Sequence, residues 1–277
     1  MQRVVSVIKK WWPDFNSTVG FFMLSVFLVW LKTYWAYKTN FSLGVQGTLQ
    51  EFLLFLNPIP TAIILLGIAL YFRGRIAYWL MLLINLVQSI WLFANMLYYR
   101  EFSDFLSLNI MGSGGSVENN LSKSIAGIIH GSDFLVFVDI IVLIVLLLTK
   151  VIKVDKTAVQ KRFAALVTVF GVLLMFVGYG IASKDRSGLL TRTFDNNYIV
   201  KYLGLNEYAA YNIFKTKQTA DVKKEAKASD LDKIKKFVDG NKTLENSVYF
   251  GKEKGKNVIM FHLESFQQFL IDYKVND

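Results

Sequence analysis

Five apolar stretches, each long enough to cross a bilayer, constrain this chain more than any other feature. They occupy residues 18–37, 52–72, 76–98, 134–152 and 163–183. A spanning helix needs about 20 predominantly apolar residues. Within lipid the backbone must satisfy its own polar groups, which favours helices. Residues 1–183 therefore read as mainly α, a polytopic membrane bundle of five transmembrane helices. Charged residues are 19% of the chain, against about 25% in a typical soluble domain. The 277 residues contain no cysteine, which excludes disulfides, thiol redox chemistry and thiolate metal sites.

The formal net charge is +10, and its placement decides its meaning. A nucleic-acid partner would need a basic face on a folded domain. Here the basic residues gather at helix ends: Arg3, Lys9 and Lys10 before the first stretch, Arg73 and Arg75 between the second and third, and Lys150, Lys153, Lys156, Lys161 and Arg162 between the fourth and fifth. The alternate loops carry Lys38 against Glu51, and Arg100 and Lys123 against Glu101, Asp104 and Glu118. The positive-inside bias then puts the N-terminus in the cytoplasm and everything after residue 183 outside. The first stretch is too long for a cleaved leader and reads as a signal anchor.

Three features within the membrane region carry competing readings. Asn57-Pro58-Ile59-Pro60 interrupts the second stretch. It is either a proline kink repaired by neighbouring helices or a broken helix lining a lipid-access groove. Asp133 and Asp139 sit at the start of the fourth stretch, just after His130. Intramembrane acids are functional candidates by default. Asp133 also suits a helix end, and Asp139 is either a structural hydrogen-bond partner or part of a lipid pathway. The run Gly112-Ser113-Gly114-Gly115-Ser116 lacks the Gly-Lys-Ser/Thr of a phosphate loop and reads as a flexible connection.

Residues 184–250 read as juxtamembrane and linker helices. Tyr202, Leu203, Leu205, Tyr208, Tyr211 and Phe214 recur at near-helical spacing, which predicts an amphipathic helix lying on the outer membrane face. Leu231, Ile234, Phe237 and Val238 form a second helical stripe with Ser229 as its N-cap. Ala226-Lys227-Ala228 puts small residues at the two positions a signal peptidase reads, with cleavage before Ser229.

Residues 251–277 begin something different. Val258, Ile259, Met260, Phe261 and Leu263 are a nearly continuous apolar run, suited to a strand buried on both faces of a parallel sheet. Ligands of such sheets gather beyond the carboxyl ends of the strands. Glu264 stands there, either as an ordinary loop acid or as a hard oxygen donor for Mg²⁺ or Mn²⁺.

The chain resembles the membrane and linker portion of the lipoteichoic acid synthase family. The resemblance rests on the five crossings, on YYREFSDF at 98–105, on LLTRTFDNNYIVKYLG at 189–204, on the Ala-Lys-Ala triplet, and on YFGKEKGKNVIMFHLESFQQFLID at 249–272. It implies a truncated sulfatase-type α/β domain starting at 251, with Glu264-Ser265 at the end of its first strand and Glu264 a ligand of a catalytic metal, usually Mn²⁺. It further implies a multi-pass protein of the Gram-positive cell membrane that transfers glycerophosphate from phosphatidylglycerol to a growing lipoteichoic acid chain. A metal-activated threonine is the family's nucleophile, and this sequence offers no position for it. The chain is accordingly expected to be the leading portion of a longer synthase, inactive as a polymerase alone, with phosphatidylglycerol, signal peptidase and cell-envelope proteins or a second copy as partners. The alternative reading is a non-catalytic membrane scaffold or lipid-binding protein of the cell envelope.

Overall fold

The computed structural model describes residues 16–107, 127–191, 195–225, 228–241, 248, 250–252, 254–257 and 259–262. It is mainly helical, with α1 at Thr18–Thr39, α2 at Gly47–Leu56, α3 at Pro58–Gly67, α4 at Arg75–Phe102, α5 at Val138–Leu148, α6 at Lys161–Asp185, α7 at Asn196–Leu203, α8 at Leu205–Glu225 and α9 at Ala228–Gly240. Short 3₁₀ turns extend α3 through Ile68–Tyr71 and precede α5 at Gly131–Phe137. Five helical stretches are long and apolar enough to cross a membrane: Thr18–Thr39, Gly47–Tyr71, Arg75–Phe102, Gly131–Leu148 and Lys161–Asp185. These are the five expected from hydropathy, with ends moved by a few residues.

Local chemistry sets the helix ends. Ser17 caps α1 by accepting a hydrogen bond from the Gly20 N–H at 3.0 Å. The turn into α4 passes through Gly74 at φ +57°, a conformation that favours glycine. His130 and Asp133 form a reciprocal capping box on the 3₁₀ turn before α5, with the His130 N–H donating to Asp133 Oδ2 at 2.7 Å.

The basic loops gather at one end of the bundle. Arg73 pairs with Ala158 in an isolated antiparallel bridge. The Lys153 N–H donates to Asn16 Oδ1 at 2.9 Å, and the Asp155 N–H to the Tyr78 hydroxyl at 3.1 Å. The start of α1, the start of α4 and the α5–α6 connection thus share one end, as alternate crossing requires. A core of Phe21, Val29, Leu66, Leu70, Met81 and Leu143 lies toward it.

α3 packs against α1 and α6. Without a hydrophobic drive between helices in lipid, close approach depends on small residues. Gly171 of α6 supplies it. A Cβ there would meet Ile64 Cγ1 at 2.9 Å, Ile63 Cγ2 at 3.0 Å and the Pro60 carbonyl at 3.3 Å. α6 otherwise presents Leu166, Phe170, Leu173, Phe176 and Val177 outward, each more than half exposed, as a lipid-facing helix should.

The stretch after α6 departs from expectation. It is two helices, broken at Gly204 with φ +95°, and most of its apolar stripe packs on the bundle. Ile199, Val200, Tyr202, Leu203, Leu205 and Tyr208 are buried in the second core with Tyr37, Phe41, Leu53, Leu54 and Tyr99. The near-helical spacing was real, but its apolar stripe finds a protein surface at the bundle end opposite the basic loops.

Residues from Lys223 onward form a separate unit. In α9 the stripe of Leu231, Ile234, Phe237 and Val238 is exposed. The helix is described from Ala228, with Ser229 as its second residue. The strand expected at 257–263 is absent among the described residues 257 and 259–262, where Ile259, Met260 and Phe261 are exposed. A lone strand has no partner for its backbone N–H and C=O groups.

Candidate functional site

The interrupted second crossing organises the end opposite the basic loops. Pro58 and Pro60 lack N–H groups, so α2 stops and α3 starts afresh. Side chains bond around the break. Trp30 Nε1 donates to the Phe55 carbonyl at 2.8 Å. Asn57 Nδ2 reaches the Val200 and Lys201 carbonyls, each at 3.4 Å, on the last turn of α7. Gly204 lies so close that a Cβ would stand 2.8 Å from Asn57 Oδ1. The Leu205 N–H donates to the buried Tyr37 hydroxyl at 2.8 Å. The α7–α8 corner is therefore seated on the break in the helix.

Further bonds hold α7 down. Lys201 Nζ donates to the Gly44 carbonyl at 3.0 Å. The Tyr202 hydroxyl accepts from Gln50 Nε2 at 2.8 Å and donates to Asp185 at the end of α6. Burial, then the Asp185 carboxylate, push this phenol up to about 12. Two of the segments singled out in the sequence meet here: Tyr99 contacts Asn197 Oδ1 at 2.9 Å, Asn196 donates to Asp104 at 2.9 Å, and the Phe105 and Tyr208 rings lie 5.7 Å apart.

Beneath the corner is a groove of about 110 Å³ between α2–α3, α6 and the α7–α8 corner. Leu53, Ile59 and Pro60 form one wall, Leu174, Gly178 and Ile181 the other, and Tyr202, Leu203 and Glu207 the top. Among the described residues, no lysine or arginine lines it. The Glu207 carboxyl has no hydrogen-bond partner among the described residues, and burial raises its pKa to about 8.

Two ion pairs account for the acids expected in the membrane. Asp139 of α5 faces Lys32 of α1, whose Nζ lies 2.9–3.0 Å from both carboxylate oxygens. Lys32 also meets Asn85 Oδ1 and Ser89 Oγ at 2.5 Å each, and Asn85 Nδ2 donates to Asp139 at 2.9 Å. Asp133 takes a two-pronged contact from Arg100 at 2.8 Å per bond, while Arg100 also reaches Asn40 and the Ile128 carbonyl. Both acids join crossings and neither lines the groove.

The remaining candidates lie elsewhere. Glu264 and Ala226 fall outside the described residues. Ala228 and Ser229 begin α9. His262 is exposed. Among the described residues, no three His, Cys, Asp or Glu side chains converge to hold a metal ion. Sequence reasoning missed Lys32 and Glu207. Lys32 had a signal, a cation inside an apolar stretch. Glu207 had almost none, since an acid in the first turn of a helix is ordinary.

Residues 1–225 match the family profile described as lipoteichoic acid synthase N-terminal domain. The chain is 45% identical over 262 residues to lipoteichoic acid synthase 1 of Bacillus subtilis (strain 168), covering 95% of this chain and 41% of that protein. It is 39% identical over 257 residues to the lipoteichoic acid synthase of Staphylococcus saprophyticus, covering 93% and 40%. It is 38% identical over 260 residues to that of Staphylococcus aureus (strain USA300), covering 94% and 40%. The chain thus spans about two-fifths of the length of these relatives. No solved structure matches it.

Proposed function

The chain belongs to the lipoteichoic acid synthase N-terminal domain family, and from that premise we propose that it is the membrane and linker portion of a glycerophosphotransferase. The whole protein would polymerise glycerophosphate from phosphatidylglycerol on the outer face of the cell membrane. The observation that carries the reading is the seating of α7 and the start of α8 on one end of the bundle, through Asn57 at the break, Tyr37 of α1 and the Lys201 bond to Gly44. It ties the chain leaving the fifth crossing to the bundle end away from the basic loops. On the positive-inside bias that end is external, where phosphatidylglycerol of the outer leaflet would be met.

The chemistry of the whole synthase would use Mn²⁺ or Mg²⁺, with Glu264 as one oxygen donor. One carboxylate is not a metal site, and the described residues bring together no other ligand set. No step of the transfer is therefore assigned to this chain. Its own part is to hold the outer domain at the headgroup plane, with signal peptidase cleavage after Ala228 as a route to releasing that domain.

The test has two arms. Reporter fusions after Arg73 and after Gly204 should read cytoplasmic and external respectively, and the reverse pattern would overturn the orientation. In the full-length synthase, Glu264→Ala should remove bound metal and polymer together. Normal metal occupancy in that variant would remove Glu264 from the site.

A further inference from the structure

The groove under the α7–α8 corner is unexplained by an anchoring role. Its depth suits the upper part of a lipid. Its α6 wall, Leu174 to Ile181, lies roughly 6–17 Å below Asp185 at the helix end, taking ~1.5 Å per residue. Its walls are aliphatic apart from Asn57 and Tyr179, and its top carries a carboxyl that no described residue satisfies. Glu207 is half-buried, and a polar group partly withdrawn from water without a partner is costly in proportion, so a ligand that supplies a hydrogen-bond donor here gains more than its apolar contact.

The lining also selects against most lipids. A phosphate would enter without any lysine or arginine in the wall and beside an acid. Lys201 does not help, since its ammonium is held by the Gly44 carbonyl and the Tyr198 ring, 4.6 Å away. Size sets a further limit. About 110 Å³ is less than the ~150 Å³ cavity that takes up a benzene, so only a small uncharged head fits beneath the corner and an acyl chain must run along the open side of the groove. A second, larger groove between α1, α3 and α6 is lined only by apolar and aromatic residues such as Phe22, Phe27, Trp30 and Phe170. It would accept acyl chains without choosing a head.

We propose that the groove between α3, α6 and the α7–α8 corner binds diacylglycerol, its free hydroxyl on the Glu207 carboxyl and one acyl chain along Gly178. The hydroxyl donates to a carboxylate oxygen, or accepts from the protonated acid, so either state of Glu207 finds a use for it. The second acyl chain remains in the bilayer beside the exposed face of α6. Gly178 has open space where a Cβ would stand, which leaves room for the chain. The site uses no residue of the outer domain, so its success or failure is separate from that of the proposed transfer activity.

The test uses the 277-residue chain in phosphatidylcholine vesicles with a diacylglycerol carrying a photoreactive diazirine on one acyl chain. Phosphatidylglycerol and phosphatidic acid with the same labelled chain serve as comparisons. Diacylglycerol should label peptides containing residues 53–60 and 174–181 more than either anionic lipid. Gly178→Phe, at a position where a Cβ meets no neighbour within 4 Å, should abolish that labelling. Glu207→Leu should weaken apparent binding about tenfold, the worth of a hydrogen bond to a buried group, while Glu207→Gln should stay within about twofold because the amide still accepts and donates. Equal labelling by phosphatidylglycerol, undiminished labelling in Gly178→Phe, or a cross-linked second copy covering this face would each overturn the proposal.

Discussion

Removing one member of the Lys32–Asp139 pair should cost far more than removing both. The two side chains are 7% and 9% exposed, and Lys32 lies about 10 Å in from the end of α1, at ~1.5 Å per residue. All three ammonium protons have acceptors, on Asn85, Ser89 and Asp139. Asp139→Ala leaves that ammonium with two neutral partners in a low-dielectric setting, and Lys32→Met strands the carboxylate. Breaking a buried pair from one side typically costs about 3–5 kcal/mol, whereas an apolar replacement of both is often near neutral. The double variant Lys32→Met/Asp139→Leu should therefore recover most of the loss, a coupling of about 3 kcal/mol or more. Reversible unfolding in mild detergent, run as a double-mutant cycle, measures it. Single variants costing under about 1 kcal/mol, or effects that simply add, would refute the view that this pair is desolvated and mutually dependent.

Three further outcomes are expected. Gly171→Leu should destabilise the bundle by about 1–3 kcal/mol or more, because the Pro60 backbone at 3.3 Å cannot move aside, while Gly178→Ala should be neutral in the same thermal-shift assay; equal effects would contradict the packing of α6. Arg100→Leu should cost about 3–5 kcal/mol by stranding Asp133, which is 1% exposed, and Asp133→Asn in the Arg100→Leu background should restore part of it. The Glu207 carboxyl is raised to about 8 by burial, so the folded chain holds its proton more tightly than the unfolded chain. The resulting stability is fully present below about pH 4.5 and is lost as pH rises through about 8. Melting temperature should therefore fall between pH 6 and 9 more steeply in the native chain than in Glu207→Gln, and parallel profiles would refute the burial of this acid.

How much of this was legible beforehand differs by element. The five crossings could be read directly, because hydrocarbon imposes one length and one composition on any helix that spans it. The alternation of basic loops could be read for the same reason, and the Arg73–Ala158 bridge confirms that two of them share an end. The proline break was visible as a break, but not what would sit on it. The spacing of Tyr202, Leu205 and Tyr208 announced an apolar stripe, and a lipid surface and a protein surface make the same demand on such a stripe. Gly204 was equally silent, since the close approach that leaves no room for a Cβ there is to Asn57, 147 positions earlier.

The sequence by itself determined the class of this protein: a five-crossing membrane bundle followed by a linker pattern, with a family resemblance strong enough to survive comparison. Tertiary structure decided which polar groups answer one another. Lys32 is 107 positions from Asp139, and Arg100 is 33 from Asp133, so no local pattern could pair them. It also decided that Glu207 has no hydrogen-bond partner among the described residues while acids that looked more conspicuous are neutralised. The reason is physical: apolar length is a property of each segment alone, whereas the satisfaction of a buried charge depends on what the other segments bring to it.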